Sequence, residues 1–379
     1  MKDKLRVLRI ITRMNVGGPS YQISQLLSGL SDLGFEHHLL FGNCPATEKE
    51  FDFLTSDVNK STRLKHLSTK INAMSDLRAF IEIRHFMKQW KPDIVHTHTA
   101  KAGLLGRLAA FSLNREIKIV HTFHGHLLTG YFTRTFTYIV ITIEKILAKL
   151  SNRLISVGTI VASDLVKKGI GTVDKFVIIN PGVERPKSKK NDRTRFHRGV
   201  RRDGFKVLWI GRLVEIKNPE LVIEISKFMK IKSSNVEFLI AGDGPLRTAL
   251  EVQIRQLQLP IQILGWRDDV PTLLDEVDLV IQTSHNEGTP ISLIQAQLAG
   301  IPVISTSVGS IPEIVTDGVT GHLVSHDYES FARIIEYYLK HTEELEAVGQ
   351  RARNFALQKF SIQRFLTDHA NLYRQLINK

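Results

Sequence analysis

An acidic residue stands directly before an apolar, helix-spaced run in residues 285–300, HNEGTPISLIQAQLAG. Glu287 is the only acid of this stretch, and Ile291 and Ile294 recur at the spacing of one helix face. The first turn of a helix exposes backbone amides that have no partner within the helix and that attract anions. The stretch therefore predicts a helix that begins at Pro290 and offers an anion site beside a carboxylate.

Three more loops in the second half of the chain follow apolar runs and carry groups that suit a phosphate ligand. GRLVEIKN supplies Arg212 and Lys217, two cations five positions apart that could flank a phosphate pair. AGDGPL places two glycines before a helix, and LGWRDDV places Trp266 and Arg267 where a ring could meet a flat base. Each motif alone could be a surface pair, a tight turn or a structural tryptophan. Together with the helix start, they indicate a phosphate-containing ligand.

In the first half, Gly17 and Gly18 precede a helix in the stretch NVGGPS. A backbone without side chains can approach a phosphate closely there, although a tight turn would use the same residues. The chain has neither the GxGxxG pattern of dinucleotide-binding folds nor GxxxxGK[ST]. A dinucleotide cofactor is therefore not expected.

Five histidines cluster along the first half and raise the question of a metal site. Cys44 is remote from them, and no carboxylate is spaced to complete a zinc set. The sequence also lacks an Asp-x-Asp pair. We therefore expect no metal and no other cofactor. The histidines are His96, His98, His121, His124 and His126.

Short apolar runs alternate with helical patterns along the chain, which predicts parallel α/β architecture. Five runs lie on each side of the turn Asn180-Pro181-Gly182, so we place a hinge there and predict domains at residues 1–182 and 183–360. Ligands of such sheets bind beyond the carboxyl ends of the strands, where the loops described above lie. The runs are LRVLRIIT, HHLLFG, DIVHTHT, KIVHTFH and RLISVG, then KVLWIG, VEFLIAG, IQILG, LVIQTS and PVISTS.

Composition limits the cellular setting. The 379 residues, 42% of them hydrophobic, are enough for two cores. A single cysteine can form no internal disulfide, and charges interrupt the apolar residues at the start, so we expect a reducing, cytoplasmic compartment and no signal peptide. The longest apolar run without charges, TFTYIVITI, is far short of the roughly 20 residues that a membrane-spanning helix needs.

The formal charge of +13 indicates an anionic partner. Residues 185–206 contain ten Lys or Arg, which fits either a solvated linker or a contact with an anionic membrane surface. Nucleic acid is not expected as a partner, because this segment has few aromatic side chains for base stacking.

Six ordered motifs resemble the retaining glycosyltransferases of family four, particularly their bacterial capsule, exopolysaccharide and O-antigen enzymes. The resemblance covers the chain from about residue 5 to its end. It implies the GT-B fold, in which two Rossmann-like domains face each other across a cleft and a final helix, here about residues 361–379, packs back on the first domain. It also implies a nucleotide-sugar donor held mainly by the second domain. The motifs are HTHTAKAGLLGRLAA, VHTFHGH, GRLVEIKN, GDGPLR, LGWRDDVPTLL and NEGTPISLIQAQLAGIPVI.

The resemblance assigns roles to residues of this sequence. Glu287 would accept hydrogen bonds from the donor sugar. The residues after it would hold the sugar or diphosphate through their backbone N–H groups, which Pro290 lacks; they are Gly288, Thr289, Pro290 and Ile291. Gln295 stands where the family's E-x7-E pattern has its second acid, which accepts from the ribose hydroxyls. A neutral amide oxygen can still accept, at a cost in donor affinity of about 1 kcal/mol.

Further roles follow from the same resemblance. Arg212 and Lys217, with Gly17 and Gly18, would stabilise the departing diphosphate, and His124 would contact the donor sugar. An acceptor hydroxyl would attack the face from which the leaving group departs, a diphosphate oxygen would take its proton, and the configuration would be retained. The expected activity is that of a hexosyl- or N-acetylhexosaminyltransferase that uses a UDP-sugar.

The acceptor is indicated by residues 125–150, GHLLTGYFTRTFTYIVITIEKILAKL, where apolar and basic side chains alternate. This mixture suits a polyprenyl-diphosphate-linked acceptor at the cytoplasmic face of a membrane. A loop followed by an ordinary buried helix would have the same sequence pattern. Three alternatives stay open: a small soluble acceptor, a GT-B epimerase, which would need additional carboxylates, and a weakly catalytic nucleotide-sugar-binding protein, because of Gln295.

Overall fold

The computed structural model describes residues 4–46, 48–51, 60–113, 116–125, 134–185, 204–232 and 235–378. The chain forms two compact units. Unit 1 consists of Met1–Gly182 and Ile362–Lys379, and unit 2 consists of Val183–Ser361. The first unit therefore ends at the last residue of the Asn180-Pro181-Gly182 turn.

Unit 1 contains a parallel sheet of seven strands in the order β3-β2-β1-β4-β5-β6-β7. The order reverses between β1 and β4, so the loops that follow these two strands diverge at the carboxyl edge of the sheet. The strands are β1 (Leu5–Ile11), β2 (Phe35–Phe41), β3 (Ser61–Arg63), β4 (Ile94–His98), β5 (Lys118–Phe123), β6 (Arg153–Ser156) and β7 (Phe176–Ile178). The helices between them are α1 (Gly18–Gly29), α2 (Ala73–Trp90), α3 (Ala100–Phe111), α4 (Arg134–Leu150) and α5 (Thr159–Lys167).

Unit 2 contains a parallel sheet of six strands in the order β10-β9-β8-β11-β12-β13, with the reversal between β8 and β11. Its core surrounds the fully buried Trp209 of β8. The strands are β8 (Phe205–Ile210), β9 (Val236–Ala241), β10 (Ile261–Gly265), β11 (Leu279–Gln282), β12 (Val303–Thr306) and β13 (His322–Val324). The helices are α6 (Glu220–Lys232), α7 (Arg247–Gln256), α8 (Val270–Leu274), α9 (Ile291–Leu298), α10 (Tyr328–Lys340) and α11 (Thr342–Lys359).

The last helix, α12 (Ile362–Ile377), returns to unit 1. Its buried residues Phe365 and Tyr373 pack in one cluster with Val7 of β1. The Arg364 guanidinium donates to the carbonyl of Asn180 at 2.6 Å. The start of α12 is thereby bound to the segment at which unit 1 ends.

The sequence predicts the parallel α/β class correctly but gives the wrong number of strands. Runs of three residues form β3, β7 and β13, each at an edge of its sheet. Such short runs show neither the length nor the alternation on which strand prediction depends. Helix α1 is also shorter than its sequence predicts, because the helix-spaced apolar residues continue from Ile23 to Leu33. The helix ends at Gly29, and Leu33 lies 36% exposed in a following 3₁₀ turn.

A buried ion pair fixes α3 against α4. The Arg107 guanidinium donates to both carboxylate oxygens of Glu144 at 2.8 and 2.7 Å, and to the Gly103 carbonyl at 2.8 Å. Burial lowers the pKa of Arg107, which Glu144 partly offsets. Because either charge alone would be costly inside the protein, the pair constrains the positions of both helices.

Two predicted features lie mainly outside the described residues. They are the basic segment, at residues 186–203, and the loop before α4, at residues 126–133 with the side chains of Arg134 and Phe136. Across the part of the chain that is described, no helix combines the length and apolarity required to cross a bilayer.

Candidate active site

The carboxyl edge of the unit 2 sheet brings two predicted site residues into contact. Lys217 follows β8 and Glu287 follows β11, the two strands between which the strand order reverses. In open α/β sheets this reversal opens a crevice in which ligands bind. The Lys217 Nζ lies 2.5 Å from Glu287 Oε1, although the residues are 70 positions apart in sequence.

The Glu287 carboxylate is 6% exposed and accepts three hydrogen bonds on one oxygen. Besides Lys217, Gln282 Nε2 and Ser284 Oγ each donate to Oε1 at 2.7 Å. Gln282 also donates to Ser284 Oγ at 2.7 Å. Together these donors fix the carboxylate in position.

Neighbouring residues hold the Lys217 loop against the end of β11. Thr283 Oγ1 donates towards the carbonyls of Lys217 and Asn218 at 3.1 and 2.7 Å, and it accepts from Trp209 Nε1 at 2.9 Å. The His285 amide donates to the Ile216 carbonyl at 2.9 Å. The ammonium group and the carboxylate are thus carried by loops that are tied to each other.

Two glycines allow the loops at this edge to pack closely. A side chain at Gly309, where φ is +54°, would place its Cβ 1.8 Å from the carbonyl oxygen of Glu287. At Gly242 the added Cβ would lie 1.7 Å from the Gly211 carbonyl oxygen. The GDG motif therefore brings its loop against the strand end that leads to Arg212.

Helix α9 begins at Ile291, one residue later than predicted, with Pro290 as its N-cap. No side chain caps it, and its first turn contains no acidic residue. Gly288 and Thr289 form the link from Glu287 to the helix, and Gln295 lies on α9 with a partly exposed side chain. The donor-binding candidates of this loop therefore follow Glu287 directly around one helix start.

Trp266 and Arg267 follow the edge strand β10, which is separated from β8 by β9. Arg267 donates to both carboxylate oxygens of Asp269 at 2.7 and 2.6 Å. This hydrogen bonding raises the pKa of Arg267. Trp266 is half-buried. The structure thus places this predicted pair at the same edge of the sheet as Glu287, but two strands away from Lys217.

The first-unit candidates lie at the other reversal point. Gly17 is the N-cap of α1, in the loop after β1, and a Cβ added there would meet no atom of the described residues within 4 Å. Gly18 is the first residue of the helix, and the first turn has no acidic residue. Packing therefore does not explain the glycine at position 17, which is consistent with a role towards a ligand.

His124 follows β5 and contacts a second histidine at the end of β4. Its Nε2 lies 2.9 Å from Nδ1 of His98. Burial lowers the pKa of His124 to about 4, so the ring is neutral at pH 7. In the described part of the chain, no group of three or more His, Cys, Asp or Glu residues is arranged to hold a metal ion.

Sequence reasoning missed three residues that touch the candidates. Gln282 and Ser284 bind Glu287, and His98 binds His124. All three lie at or just after the carboxyl end of a strand, so their position in the strand pattern could have identified them. The contacts themselves depend on which strands are neighbours, which single runs of sequence do not show.

Comparison with known proteins identifies the family. The family described as Glycosyltransferase Family 4 matches residues 16–185, and the one described as Glycosyl transferases group 1 matches residues 190–355. An Escherichia coli relative, UDP-Gal:alpha-D-GlcNAc-diphosphoundecaprenol alpha-1,3-galactosyltransferase, is 27% identical over 377 residues, 94% of this chain and 96% of that protein. CapM of Staphylococcus aureus, a capsular polysaccharide biosynthesis glycosyltransferase, is 26% identical over 85% of this chain and 87% of its own length.

A solved structure shows the same fold. Anabaena HepE, crystallised in complex with UDP and glucose, superposes with a TM-score of 0.81 at 20% identity and covers 97% of this chain and 99% of its own. The predicted GT-B fold is thereby confirmed. The predicted glycosyltransferase activity is confirmed separately, by the family matches and the named relatives. The two matching families account for most of the chain, in the order of its two units. The chain therefore belongs to the family-four glycosyltransferases of the GT-B fold, of the type that serves bacterial capsule and polysaccharide synthesis.

Proposed function

We propose that this glycosyltransferase transfers a sugar from a UDP-sugar to a lipid-linked saccharide with retention of configuration. The observation that carries the proposal is the contact between Lys217 and Glu287 at the reversal point of the unit 2 sheet. A fixed carboxylate beside a fixed cation matches a donor in which a hydroxyl-rich sugar is joined to a diphosphate. HepE, which shares the fold, has been crystallised with UDP and glucose.

Lys217 retains the capacity to bind the diphosphate while it is paired with Glu287. An ammonium group has three N–H donors, and Glu287 uses one of them. Its side chain is 21% exposed, so a phosphate oxygen can reach the group. Negative charge develops on the leaving diphosphate, and fixed donors aimed at that charge stabilise the transition state. We assign this role to Lys217, Arg212, the amides at the start of α9 and, in unit 1, the loop of Gly17 and Gly18.

No resident metal is needed for this scheme. Lys217 and Arg212 supply the positive charge that a divalent ion would otherwise bring to the diphosphate. The acceptor hydroxyl passes its proton to a diphosphate oxygen of the leaving group, so no further carboxylate is required as base. We assign to His124 the contact with the transferred sugar that the family resemblance implies.

The uracil and ribose are assigned to the loop after β10 and to Gln295. Neighbouring strands lie about 4.8 Å apart, so the end of β10 is roughly 10 Å from the end of β8. That separation suits a nucleoside joined to a diphosphate at Lys217. The partly exposed Trp266 offers a flat surface for the base, and Arg267, bound by Asp269, borders it.

A lipid-linked acceptor is supported by the Escherichia coli relative, whose name specifies a diphosphoundecaprenol substrate. An enzyme that meets such a substrate works at a membrane surface. Apolar side chains are exposed on α2, just before it, and on α4, two helices that both pack against α3. We call these two exposed surfaces together the α2–α4 face. Its exposed apolar side chains are Ile71, Met74, Leu77, Ile81, Tyr138, Ile139 and Ile146.

The charges of the α2–α4 face complement an anionic bilayer. Its exposed charged side chains, among the described residues, include Lys70, Arg78, Lys88, Lys145 and Lys149, all of them basic. Of the acidic residues, Asp76 is paired with Lys101 at 2.7 Å, Glu144 is buried with Arg107, and the partly exposed Glu82 lies 3.7 Å from His66. We therefore propose that the α2–α4 face lies on the cytoplasmic leaflet. The sequence suggested α4 for this contact, but it gave no indication of the apolar stripe on α2.

Replacing Ile71 and Met74 together by serine is expected to weaken binding to anionic vesicles about tenfold or more, because both apolar side chains leave the interface. Co-sedimentation with phosphatidylglycerol vesicles at low salt measures the effect. The matched control is Ile231→Ser, since Ile231 is 79% exposed on α6 of unit 2. Equal binding by the double variant and the control would contradict the proposed contact.

The proposed function is tested by offering the purified chain UDP-, GDP- and ADP-sugars with bacterial lipid extract. We expect release of UDP that depends on the lipid, together with a glycolipid whose anomeric configuration matches the donor. Lys217→Ala should lower the rate about 10- to 100-fold, since it removes a charged hydrogen bond to the leaving group. Lys227→Ala, at an exposed lysine of α6, is the control.

Other outcomes of the same experiment point to different functions. Transfer to small soluble hydroxyl compounds without lipid would replace the lipid-linked acceptor. Donor binding without release of nucleotide would identify a nucleotide-sugar-binding protein, with Gln295 as the reason for the missing activity. An inverted product would contradict retention.

A further inference from the structure

The backbone at the end of β4 is strained. Thr99, directly after His98, has φ +66° and ψ 155°, a region that side chains, and β-branched ones above all, rarely adopt. Its Oγ1 lies 2.7 Å from Oγ1 of Thr12, which follows β1. The Thr12 hydroxyl in turn accepts from the Ala102 amide at 3.2 Å, at the start of α3. Such strain persists where the surroundings impose it, and it is concentrated at functional sites.

This strained turn positions His98 against His124. The two rings share a hydrogen bond of 2.9 Å between Nδ1 of His98 and Nε2 of His124. Burial lowers the pKa of both histidines, so both are neutral at pH 7. A neutral imidazole has one donor and one acceptor nitrogen. In the shared bond one ring donates and the other accepts, so the direction of this bond determines the tautomer of both rings.

The second nitrogen of each ring has no protein partner among the described residues. His98 Nε2 and His124 Nδ1 are buried, and no described residue forms a hydrogen bond with either. One of them carries a hydrogen and the other a lone pair, whichever way the shared bond is oriented. A sugar hydroxyl both donates and accepts, so it can pair with the nitrogen of His124 in either case. The direction of the hydrogen bond between His98 and His124 determines whether the sugar hydroxyl must donate to His124 or accept from it.

A second hydrogen-bond chain holds the neighbouring ring. Arg9 can only donate, and its guanidinium lies 3.2 Å from the Tyr373 hydroxyl. That hydroxyl shares a hydrogen bond of 2.7 Å with His96 Nδ1, and His96 Nε2 shares one of 2.7 Å with Thr122 Oγ1. The His96 ring lies 4.2 Å from that of His98 between centroids. It thus packs against His98 from one side and is itself held by hydrogen bonds at both nitrogens.

We propose that His98 is a positioning residue that holds His124 in one orientation and one tautomer for its contact with the transferred sugar. The assignment rests on the proposed function for its effect on catalysis. His98 itself need not touch the substrate. Its removal should therefore affect the rate of transfer more than the binding of the donor.

Two substitutions at His98 and one control test this assignment. His98→Phe keeps a ring but removes the hydrogen bond, and we expect kcat to fall about 10- to 100-fold, as for other supporting residues of catalytic groups, with KM for the donor changed less than about threefold. His98→Asn can place a polar atom near the position of Nδ1, so it should recover most of the lost rate. His121→Phe, at a buried histidine that binds Thr97, is the control for generic core damage.

Nitrogen-15 solid-state NMR of histidine-labelled protein provides a readout that folding defects alone do not change. We expect a single tautomer for His124, assigned by difference with His124→Asn, and a changed or mixed tautomer in His98→Phe. Loss of kcat without a change of tautomer, or an unchanged kcat, would overturn the assignment. Thermal melting shows whether each variant is folded. If the wild-type chain transferred no sugar, the proposed function would fail, while the spectra would still decide whether His98 orients His124.

Discussion

Replacing Glu287 by alanine is expected to lower kcat/KM for sugar transfer about 100-fold or more, while the chain stays folded. A hydrogen bond to a charged group contributes about 1.5–3 kcal/mol, which corresponds to roughly 10- to 150-fold in rate. The substitution also removes the shared acceptor of Lys217, Gln282 and Ser284, so the ammonium group loses its fixed position. Steady-state kinetics measures the effect, with the donor that the nucleotide-release assay selects.

Glu287→Gln separates the charge of this side chain from its shape. The amide oxygen can still accept from Gln282 and Ser284, so we expect a loss of about tenfold, smaller than for alanine. Glu343→Gln, at an exposed acid of α11, removes the same charge elsewhere in unit 2 and should leave the rate unchanged. A Glu287→Ala protein with more than a third of the wild-type kcat/KM would be incompatible with a role at the donor sugar.

Lys217 and Glu287 should also behave as one unit. Because they share a hydrogen bond at 2.5 Å, the double alanine variant should lose less activity than the product of the two single losses. If the loss in the double variant equals the product of the two single losses, the two residues act on the donor independently. Their contact would then not be retained when the donor binds.

The sequence was sufficient for the parts of this site that are local. The carboxylate before α9 and the cations after β8 follow from runs of fewer than ten residues, because strand ends and helix starts have recognisable local patterns. The pairing of Lys217 with Glu287 was not predictable in this way. It depends on β8 and β11 being neighbours, which the order of the strands in the sequence does not reveal.

Buried charged residues were beyond sequence reasoning for a different reason. Arg9 and Arg107 are fully buried, whereas arginine is almost always exposed unless it is paired. Arg107 forms an ion pair with Glu144. The partners of Arg9 are neutral, namely His37 Nδ1 at 2.8 Å and the Tyr373 hydroxyl. A residue on α12 thus completes the environment of a residue on the first strand, and no pattern within either segment indicates it.

The neutral histidines around Arg9 should make unit 1 sensitive to acid. Burial is the main cause of their lowered pKa values, and the charge of Arg9 adds to it for His37 and His96. The pKa falls to about 2 for His37, about 3 for His369 and about 4 for His124. Six histidines of unit 1 share a large shift of this kind, and burial also lowers the pKa of His38. The six are His37, His96, His98, His121, His124 and His369.

The direction of the effect follows from proton binding. In the unfolded chain these histidines take up protons as the pH falls below about 6.5. In the folded chain the pKa is about 4 for His124, and it lies well below its usual value for His96, His98 and His121. Stability is therefore fully present above pH 6.5 and is lost as the pH falls from there towards 4. Each group costs up to about 1.4 kcal/mol per pH unit of this fall. A few such groups together therefore cost, within about one to two pH units, an amount comparable with the total stability of about 5–15 kcal/mol of a typical domain.

We therefore expect unit 1 to unfold cooperatively between about pH 6 and pH 4.5, before unit 2 does. Hydrogen exchange followed by mass spectrometry, corrected for the intrinsic pH dependence of exchange, resolves the two units within one chain. His369→Leu should reduce the slope of unfolding free energy against pH by about one proton, because leucine binds no proton in either state. Within the described residues, the hydrogen bond of the His369 ring goes to the Phe365 carbonyl of its own helix, so the substitution breaks no hydrogen bond to another element. His85→Leu, at an exposed histidine of α2, should leave the slope unchanged. Undiminished protection of β1, β4 and β5 at pH 4.5 would show that these rings are not held neutral by the fold.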